Sequence, residues 1–243
     1  MQMVPAIVIN LDRRSDRWLH MKDEWGATFA IDRFSATDGK TENLSFENAC
    51  RDSHIRVLLR LKKDAQISLA PFYIVMEDDV VKTQEFQSTW PSILSFVNNH
   101  DMYWDFIALD PILSHDRHNA SRIEGTMMIK IEKFRSMGFL IYSRAFLLNF
   151  EPPKVEKPLD MTLTRDLRYV KLTPNVLCVR QLTSINSNRV GKFTTIYDLH
   201  YNNTVKILKR LREGNKKNID EWIYRALITL IICTAAIVLV VNR

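Results

Sequence analysis

Cysteine is scarce in this sequence, and several patterns that would define a protein class are missing. The chain has three cysteines, Cys50, Cys178 and Cys233, far apart and without a C-x-x-C pair. Such an odd and dispersed set argues against a disulfide framework and favours a reducing compartment. There is no repeat and no low-complexity tract. The first residues also lack the basic lead and small-residue cleavage site of a secretory signal. We therefore expect a globular body without a secretory leader.

Composition and charge narrow the class further. The 243 residues are 46% apolar and 26% charged, which is ordinary for one sizeable globular domain or one domain with an appendage. Lysine and arginine outnumber aspartate and glutamate by 34 to 28, which favours an anionic partner such as phosphate, nucleic acid or a membrane surface. A basic patch interleaved with aromatic residues is missing, so nucleic acid is not an expected partner.

The end of the sequence contains its one long hydrophobic run. Residues 226–241 carry no charge, and the apolar residues before them extend the run towards the ~20 residues of a membrane-spanning helix. Residues 206–225 hold seven basic and three acidic residues, and basic flanks stay on the cytosolic side. We expect a single-pass membrane protein with its catalytic domain facing the cytosol: a domain over 1–200, a basic juxtamembrane segment over 201–221 and a transmembrane tail anchor over 222–241. A buried core helix is the alternative for the run.

Short apolar runs alternate with helical patterns along the body. Strand patterns occur at residues 4–10, 28–34, 72–76, 105–110, 127–131 and 138–142, and on either side of Pro174. Helical patterns lie between them, at residues 15–25, 45–63, 83–99, 143–149 and 159–167. This alternation predicts an α/β fold with helices on both faces of a mostly parallel sheet. Sites in such sheets lie beyond the carboxyl ends of the strands.

The segment "PFYIVMEDDVV" ends a strand pattern on three adjacent carboxylates, Glu77, Asp78 and Asp79. Neighbouring carboxylates raise one another's pKa unless positive charge lies beside them. A Mg²⁺ or Mn²⁺ ion, bound by one or two carboxylates and by substrate phosphate oxygens, relieves that repulsion. Such an ion also offsets the charge that a diphosphate leaving group gains. The alternative is that the three acids are solvated turn residues.

A basic loop follows the first strand. The segment "NLDRRSDR" contributes Arg13, Arg14 and Arg17, and the planar guanidinium group suits phosphate and carboxylate. The helix start adds amide donors for an anion. The alternative is a solvated basic turn. Ser53 and His54 lie on or beside the apolar face of the next helix, where a core role and a site role are both open.

Seven short motifs occur in the order found in one enzyme family. They are "VINLDRRSDRW", "RFSATDGK", "ACRDSHIRVL", "YIVMEDDV", "GFLIYSRAF", "PLDMTL" and "VRQLTSIN". Running in order from about residue 4 to residue 188, they resemble glycosyltransferase family 25, the family of bacterial lipooligosaccharide galactosyltransferases and collagen galactosyltransferases. Two positions depart from its pattern: Ala49 stands where glycine is common, and Asn186 stands in place of the family's last aspartate.

The resemblance implies one GT-A-like (Rossmann-like) domain with a UDP-sugar donor, Mn²⁺ (or Mg²⁺) and inversion at the anomeric carbon. It implies metal and diphosphate binding at Glu77, Asp78 and Asp79. The residues that it implies beside the nucleotide, beside the donor or closing the site are Asn10, Asp12, Arg14, Arg17, Ser53, His54, Gln181 and Ser184. An inverting transfer needs a base for the acceptor's proton, and Asp160 matches the family's helix acid. A helix N-cap is the alternative role for Asp160.

We therefore expect an enzyme, a hexosyltransferase that moves galactose or glucose from a UDP-sugar to a hydroxyl of a glycan, lipid or glycoprotein acceptor. The membrane tail would keep it near a membrane-associated acceptor. One alternative keeps the fold without the chemistry, as a membrane-tethered nucleotide- or glycan-binding module. A second alternative is a metal-dependent phosphate-ester hydrolase, but the sequence offers few further acids or histidines for a second metal ion.

Deleting residues 222–243 tests the tail anchor. The shortened chain should move from the membrane pellet to the supernatant, because it loses the apolar run that partitions into lipid. Fractionation of cells that express the full or the shortened chain measures this. A shortened chain that remains in the pellet to the same extent as the full chain would contradict the anchor.

Overall fold

A computed structural model describes residues 3–99, 103–113, 120–154, 158–182 and 200–213 of the chain. Its strands are β1 Val4–Asn10, β2 Phe29–Ser35, β3 Phe72–Glu77, β4 Val80–Lys82, β5 Phe106–Ala108, β6 Ala120–Arg122, β7 Met128–Ile131, β8 Phe139–Ser143, β9 Lys171–Pro174 and β10 Val179–Gln181. Its helices are α1 Ser15–Trp25, α2 Phe46–Ile67, α3 Phe86–Asn99, α4 Arg144–Asn149 and α5 Leu159–Leu163. Residues 200–213 are also helical.

Eight strands form one sheet in the order β2-β1-β3-β8-β5-β9-β7-β6, and β4 pairs with β10 in a separate sheet. β1 pairs in parallel with β2 and β3, and β5 pairs in parallel with β9. β8 lies antiparallel between β3 and β5, and β7 lies antiparallel between β9 and β6. Six of these eight strands therefore run in one direction. The predicted mostly parallel sheet is confirmed.

Helices cover both faces of the large sheet. Successive side chains of a strand point to opposite faces, and β1 shows the result. Ala6 and Val8 pack with Trp25 of α1 and with the apolar face of α3. Ile7 and Ile9 pack with the apolar faces of α2 and α4. The predicted α/β class is therefore confirmed, whereas the specific GT-A assignment stays a prediction.

The sequence patterns missed the small sheet. β4 and β10 have three residues each, which is too short for strand alternation to be visible. Val80 lies opposite Gln181 in this antiparallel pair. Beyond it, the N–H of Leu182 donates to the carbonyl oxygen of Asp79 at 2.6 Å. The small sheet thus holds the end of β10 beside the turn at Asp78 and Asp79, which with Glu77 form the acid triplet.

The helix of residues 200–213 packs on the body. Leu208 is buried in the same core as the apolar face of α2, and the N–H of Leu113 donates to Thr204 Oγ1 at 3.0 Å. In the part of the chain that the structure describes, no helix combines the length and apolar character needed to cross a bilayer. The predicted span, 222–241, lies outside the described residues, so the tail anchor stays a prediction.

Phe139 tests the packing beneath the site. Its side chain is fully buried, and its ring centroid lies 5.4 Å from that of Trp25 and 6.0 Å from that of Phe29. Phe139→Ala should lower the free energy of unfolding by about 3–5 kcal/mol, because it removes buried contacts and leaves a cavity. Leu19→Ala, at an exposed position, is the control and should change it by less than about 0.5 kcal/mol. Urea denaturation measures both, and equal effects would contradict this packing.

Candidate functional site

The candidate site lies at the carboxyl edge of the parallel strands. β1 ends at Asn10 and β3 ends at Glu77, and Asp110 follows the end of β5 by two residues. Asp78 and Asp79 form the turn between β3 and β4. Open α/β sheets bind their ligands at this edge. The fold thus brings four carboxylates towards one place, although only three of them are adjacent in sequence.

Asp78 is bound by residues at the end of β1 and the start of α1. Its Oδ1 accepts a hydrogen bond from Arg17 Nη1 at 2.7 Å, and its Oδ2 accepts one from Asn10 Nδ2 at 2.6 Å. Arg33 Nε in turn donates to Asn10 Oδ1 at 2.8 Å. Asn10 and Asp78 are both buried. These contacts hold the basic loop and the acid turn in a fixed relation, so Asp78 already has its positive partner.

Glu77 has hydrogen-bond partners on α2 and β10. His54 Nε2 lies 2.9 Å from Glu77 Oε1, and Gln181 Nε2 donates to Glu77 Oε2 at 3.0 Å. The Cys50 thiol lies 3.9 Å from the same Oε1. Burial on its own would raise the pKa of Glu77, but the hydrogen bond and charge of His54 outweigh it and the pKa is lowered. Glu77 is therefore an ionised carboxylate held by β10 and α2.

The environment of Asp79 and Asp110 disfavours their negatively charged forms. Burial, together with the negative charges of Glu77 and Asp78, raises the pKa of Asp79 to about 8. Burial also raises the pKa of Asp110 to about 7, and the charge of Glu77 adds to the effect. Asp79 Oδ1 is buried and has no hydrogen-bond partner among the described residues. A buried acceptor of this kind is costly to leave unpaired, and a carboxylate oxygen is a ligand that Mg²⁺ and Mn²⁺ accept.

Arg17 lies beside the Asp79 carboxylate. Its Nη1, which bonds Asp78, lies 3.7 Å from Asp79 Oδ2, beyond hydrogen-bond distance. Its Nε is buried and has no partner within the described part of the chain. The site therefore contains both an unpaired acceptor, on Asp79, and an unpaired donor, on Arg17. A divalent cation with a bound phosphate supplies the complement of each.

Asp110 was not assigned a role from the sequence. Its Oδ1 accepts the N–H of Phe139 at 2.9 Å, and its Oδ2 accepts the Ser136 hydroxyl. A Cβ on Gly138 would lie 2.5 Å from Asp110 Oδ2 and 2.8 Å from Gln181 Nε2. A side chain at position 138 would therefore displace the Asp110 carboxylate and the Gln181 amide beside the start of β8. The available signal was the position of Asp110 at the end of the strand pattern "DFIALD".

Other predicted residues lie at the same edge but have protein partners. Arg14 forms an ion pair with Asp16 at 2.7 Å. The side chain of Asp12 is 71% exposed and accepts a hydrogen bond from Ser35. The Ser53 hydroxyl donates to the carbonyl of Ala49 at 2.8 Å and accepts the N–H of Thr37 at 2.9 Å. Ser53 thus links α2 to the loop after β2, which is a scaffold contact.

Two predicted site residues are only partly covered by the structure or not at all. Asp160 is the second residue of α5, and Pro158 occupies the N-cap position, so the backbone does not place Asp160 at the cap. The side chain of Asp160 lies outside the described residues, as do Ser184 and Asn186. The catalytic role of Asp160 stays a prediction.

Comparisons with known proteins find no matching family model and no matching curated sequence. Among solved structures, the chain is similar to A197 from STIV, with 14% identity over 70% of this chain and 81% of that one and a TM-score of 0.37. HddC from Yersinia pseudotuberculosis shares 11% identity over 70% and 68%, with a TM-score of 0.36. A protein assigned as a glucose-1-phosphate thymidylyltransferase from Bacillus anthracis, solved with sucrose, shares 10% identity over 69% and 65%, with a TM-score of 0.32. Scores of this size carry no argument about activity.

The raised pKa of Asp79 predicts a stability change with pH in chelator-treated protein. Its pKa is raised from 3.8 to about 8 on folding, so between these values the folded state binds a proton that the unfolded state lacks, and stability falls as pH rises. Asp79→Asn removes the buried charge. The gain in stability of the variant over the parent should be larger at pH 9 than at pH 5 by about 1–3 kcal/mol, because only part of the cost has accumulated at pH 5.

Urea denaturation at both pH values measures this difference, and Asp23→Asn, at an exposed position of α1, is the control. A stability gain that is the same at pH 5 and pH 9 would show that folding does not raise the pKa of Asp79.

Proposed function

We propose that this chain is a metal-dependent, inverting glycosyltransferase that moves a hexose, galactose or glucose, from a UDP-sugar to a hydroxyl of a glycan, lipid or glycoprotein. The observation that carries the proposal is that two buried polar atoms at the same end of the sheet, Asp79 Oδ1 and Arg17 Nε, both lack a hydrogen-bond partner among the described residues. Nucleotide diphosphates with a divalent ion present the two complementary groups together, a cation for the carboxylate and phosphate oxygens for the guanidinium.

Asp79 is the proposed principal ligand of Mn²⁺ or Mg²⁺, and Asp110 is a second acid of the same cluster. Both carboxylates are hard oxygen ligands, which such ions prefer. Glu77 and Asp78 act from the adjacent positions: each has protein partners that hold it, and both add negative charge at Asp79. When bound, the ion offsets the negative charge that accumulates on the diphosphate leaving group.

Arg17 and the start of α1 are the proposed diphosphate contacts. Arg17 keeps Nη1 on Asp78 and offers Nε to a phosphate oxygen. The first-turn amides of α1, an 11-residue helix, are further donors for an anion. Asn10 fixes this loop by bonding both Asp78 and the Arg14 carbonyl, the latter at 3.1 Å. Binding of the diphosphate would thus use a loop that is already ordered.

The acceptor hydroxyl needs a base on the face opposite the leaving group. Asp160 is the proposed base, by its match to the family's helix acid, and Ser184 and Gln181 are proposed to close the site around the donor. Gln181 reaches the acid cluster through Glu77. The proposed anchor over 222–241, with the body on the cytosolic side, would hold the site near an acceptor at the membrane surface.

A donor screen tests this function. The purified full chain, supplied in turn with UDP-galactose, UDP-glucose and other UDP-sugars, should release UDP with Mn²⁺ or Mg²⁺ present and not after chelation. Asp79→Ala should lower release by at least about 100-fold, a loss of roughly 2.7 kcal/mol of transition-state stabilisation. Asp23→Ala, an exposed acid on α1, is the matched control and should match the parent.

Two outcomes would overturn the assignment. Turnover that is unchanged in Asp79→Ala would show that the acid triplet takes no part in the reaction. Metal-dependent protection by UDP against heat, without turnover of any donor, would instead favour a nucleotide-binding module that has lost the chemistry.

A further inference from the structure

A second cluster of ligand-type side chains lies behind the acid triplet. Cys50 and His54 are four residues apart on α2 and therefore share one helix face. Glu77 ends β3 against that face. Ligand atoms of the three side chains, one from each, all lie within 4.8 Å of one another. The cluster differs from the acid cluster in chemistry, because it offers a thiol, an imidazole and a carboxylate.

We propose that Cys50, His54 and Glu77 form a zinc-binding site that is distinct from the oxygen-ligand site at Asp79. Thiolate sulfur, imidazole nitrogen and carboxylate oxygen are the ligands that Zn²⁺ takes, and three protein ligands with a fourth open position form a common zinc arrangement. Mg²⁺ and Mn²⁺ favour oxygen ligands instead. The two proposed sites therefore select different ions although they share the neighbourhood of Glu77.

The distances fit such a centre after small adjustments. In a tetrahedral zinc site, nitrogen and oxygen ligands lie roughly 3.3 Å apart and sulfur and oxygen ligands roughly 3.6 Å apart. Here His54 Nε2 lies 2.9 Å from Glu77 Oε1, and Cys50 Sγ lies 3.9 Å from it. One separation must widen and the other must shorten by a few tenths of an ångström. The third separation, between Cys50 Sγ and the His54 nitrogen, is no more than 4.8 Å.

The groups around the cluster orient Glu77 and leave one nitrogen of His54 without a partner among the described residues. Gln181 binds Glu77 Oε2, so Oε1 stays directed at Cys50 and His54. The His54 ring is buried, and its Nδ1 has no hydrogen-bond partner among the described residues. Among the described residues, the Nε2 contact with Glu77 is therefore the hydrogen bond that orients the ring, and zinc binding would replace it. Zinc binding would replace the thiol proton of Cys50, which leaves to solvent, by a metal–sulfur bond.

Cobalt(II) is the probe, because it takes the same ligands as Zn²⁺ and a thiolate ligand gives it a charge-transfer absorption in the near ultraviolet. The full chain, reduced and freed of metal, should bind one equivalent of Co²⁺ with this absorption, and Zn²⁺ should displace it. The doubly substituted Cys178→Ser, Cys233→Ser chain, in which Cys50 is the one remaining thiol, should retain the absorption.

Cys50→Ser in the full chain should lose the charge-transfer absorption and bind Zn²⁺ at least about ten-fold more weakly. His54→Gln, which keeps the thiol, should also weaken Zn²⁺ binding by at least about ten-fold. Asp79→Asn should retain the absorption, which separates this site from the proposed transferase site. The proposal is overturned if the doubly substituted chain shows no absorption, if Cys50→Ser keeps it, or if Asp79→Asn abolishes it.

Discussion

Repulsion among four carboxylates at one sheet edge is the constraint on which the site depends. The fold gives two of them hydrogen-bond partners of its own: Arg17 and Asn10 bind Asp78, and His54 and Gln181 contact Glu77. Those contacts leave Asp79 and Asp110 with raised pKa values. The protein's own partner groups thus lie beside Glu77 and Asp78. The proposed external cation would complete the charge balance at the remaining pair, and the proposed chemistry is therefore centred on Asp79.

The order of strands explains how the cluster forms. β8 separates β3 from β5, so Asp110 reaches the acid turn only across the start of β8. Gly138 stands there, and any side chain at that position would meet Asp110 and Gln181. The short pair of β4 and β10 adds Gln181 from a distant part of the chain. The site therefore depends on tertiary contacts that bring Asp110, Gly138 and Gln181 to the end of β3. Local structure alone would not assemble it.

Local patterns predicted the elements better than the contacts. The strand at Val4–Asn10 and the helix near residues 45–63 were visible because a continuous apolar run and a helical spacing of apolar residues are local features. Asp110 had no assigned role, because its distance from Asp79 depends on strand order, which periodicity does not encode. For Ser53, the sequence left a core role and a site role open. The structure shows two hydrogen bonds to backbone groups, a distinction that needs the three-dimensional partners.

The central proposal is that the unpaired oxygen of Asp79 binds a divalent ion and that the unpaired Nε–H of Arg17 donates to a phosphate oxygen bound to that ion. Anomalous diffraction from crystals of the protein soaked in Mn²⁺ and UDP tests it directly. The account predicts a manganese peak roughly 2.1 Å from a carboxylate oxygen of Asp79, with a diphosphate oxygen bonded to Arg17 Nε. A bound UDP without manganese beside Asp79, or an empty sheet edge, would contradict it.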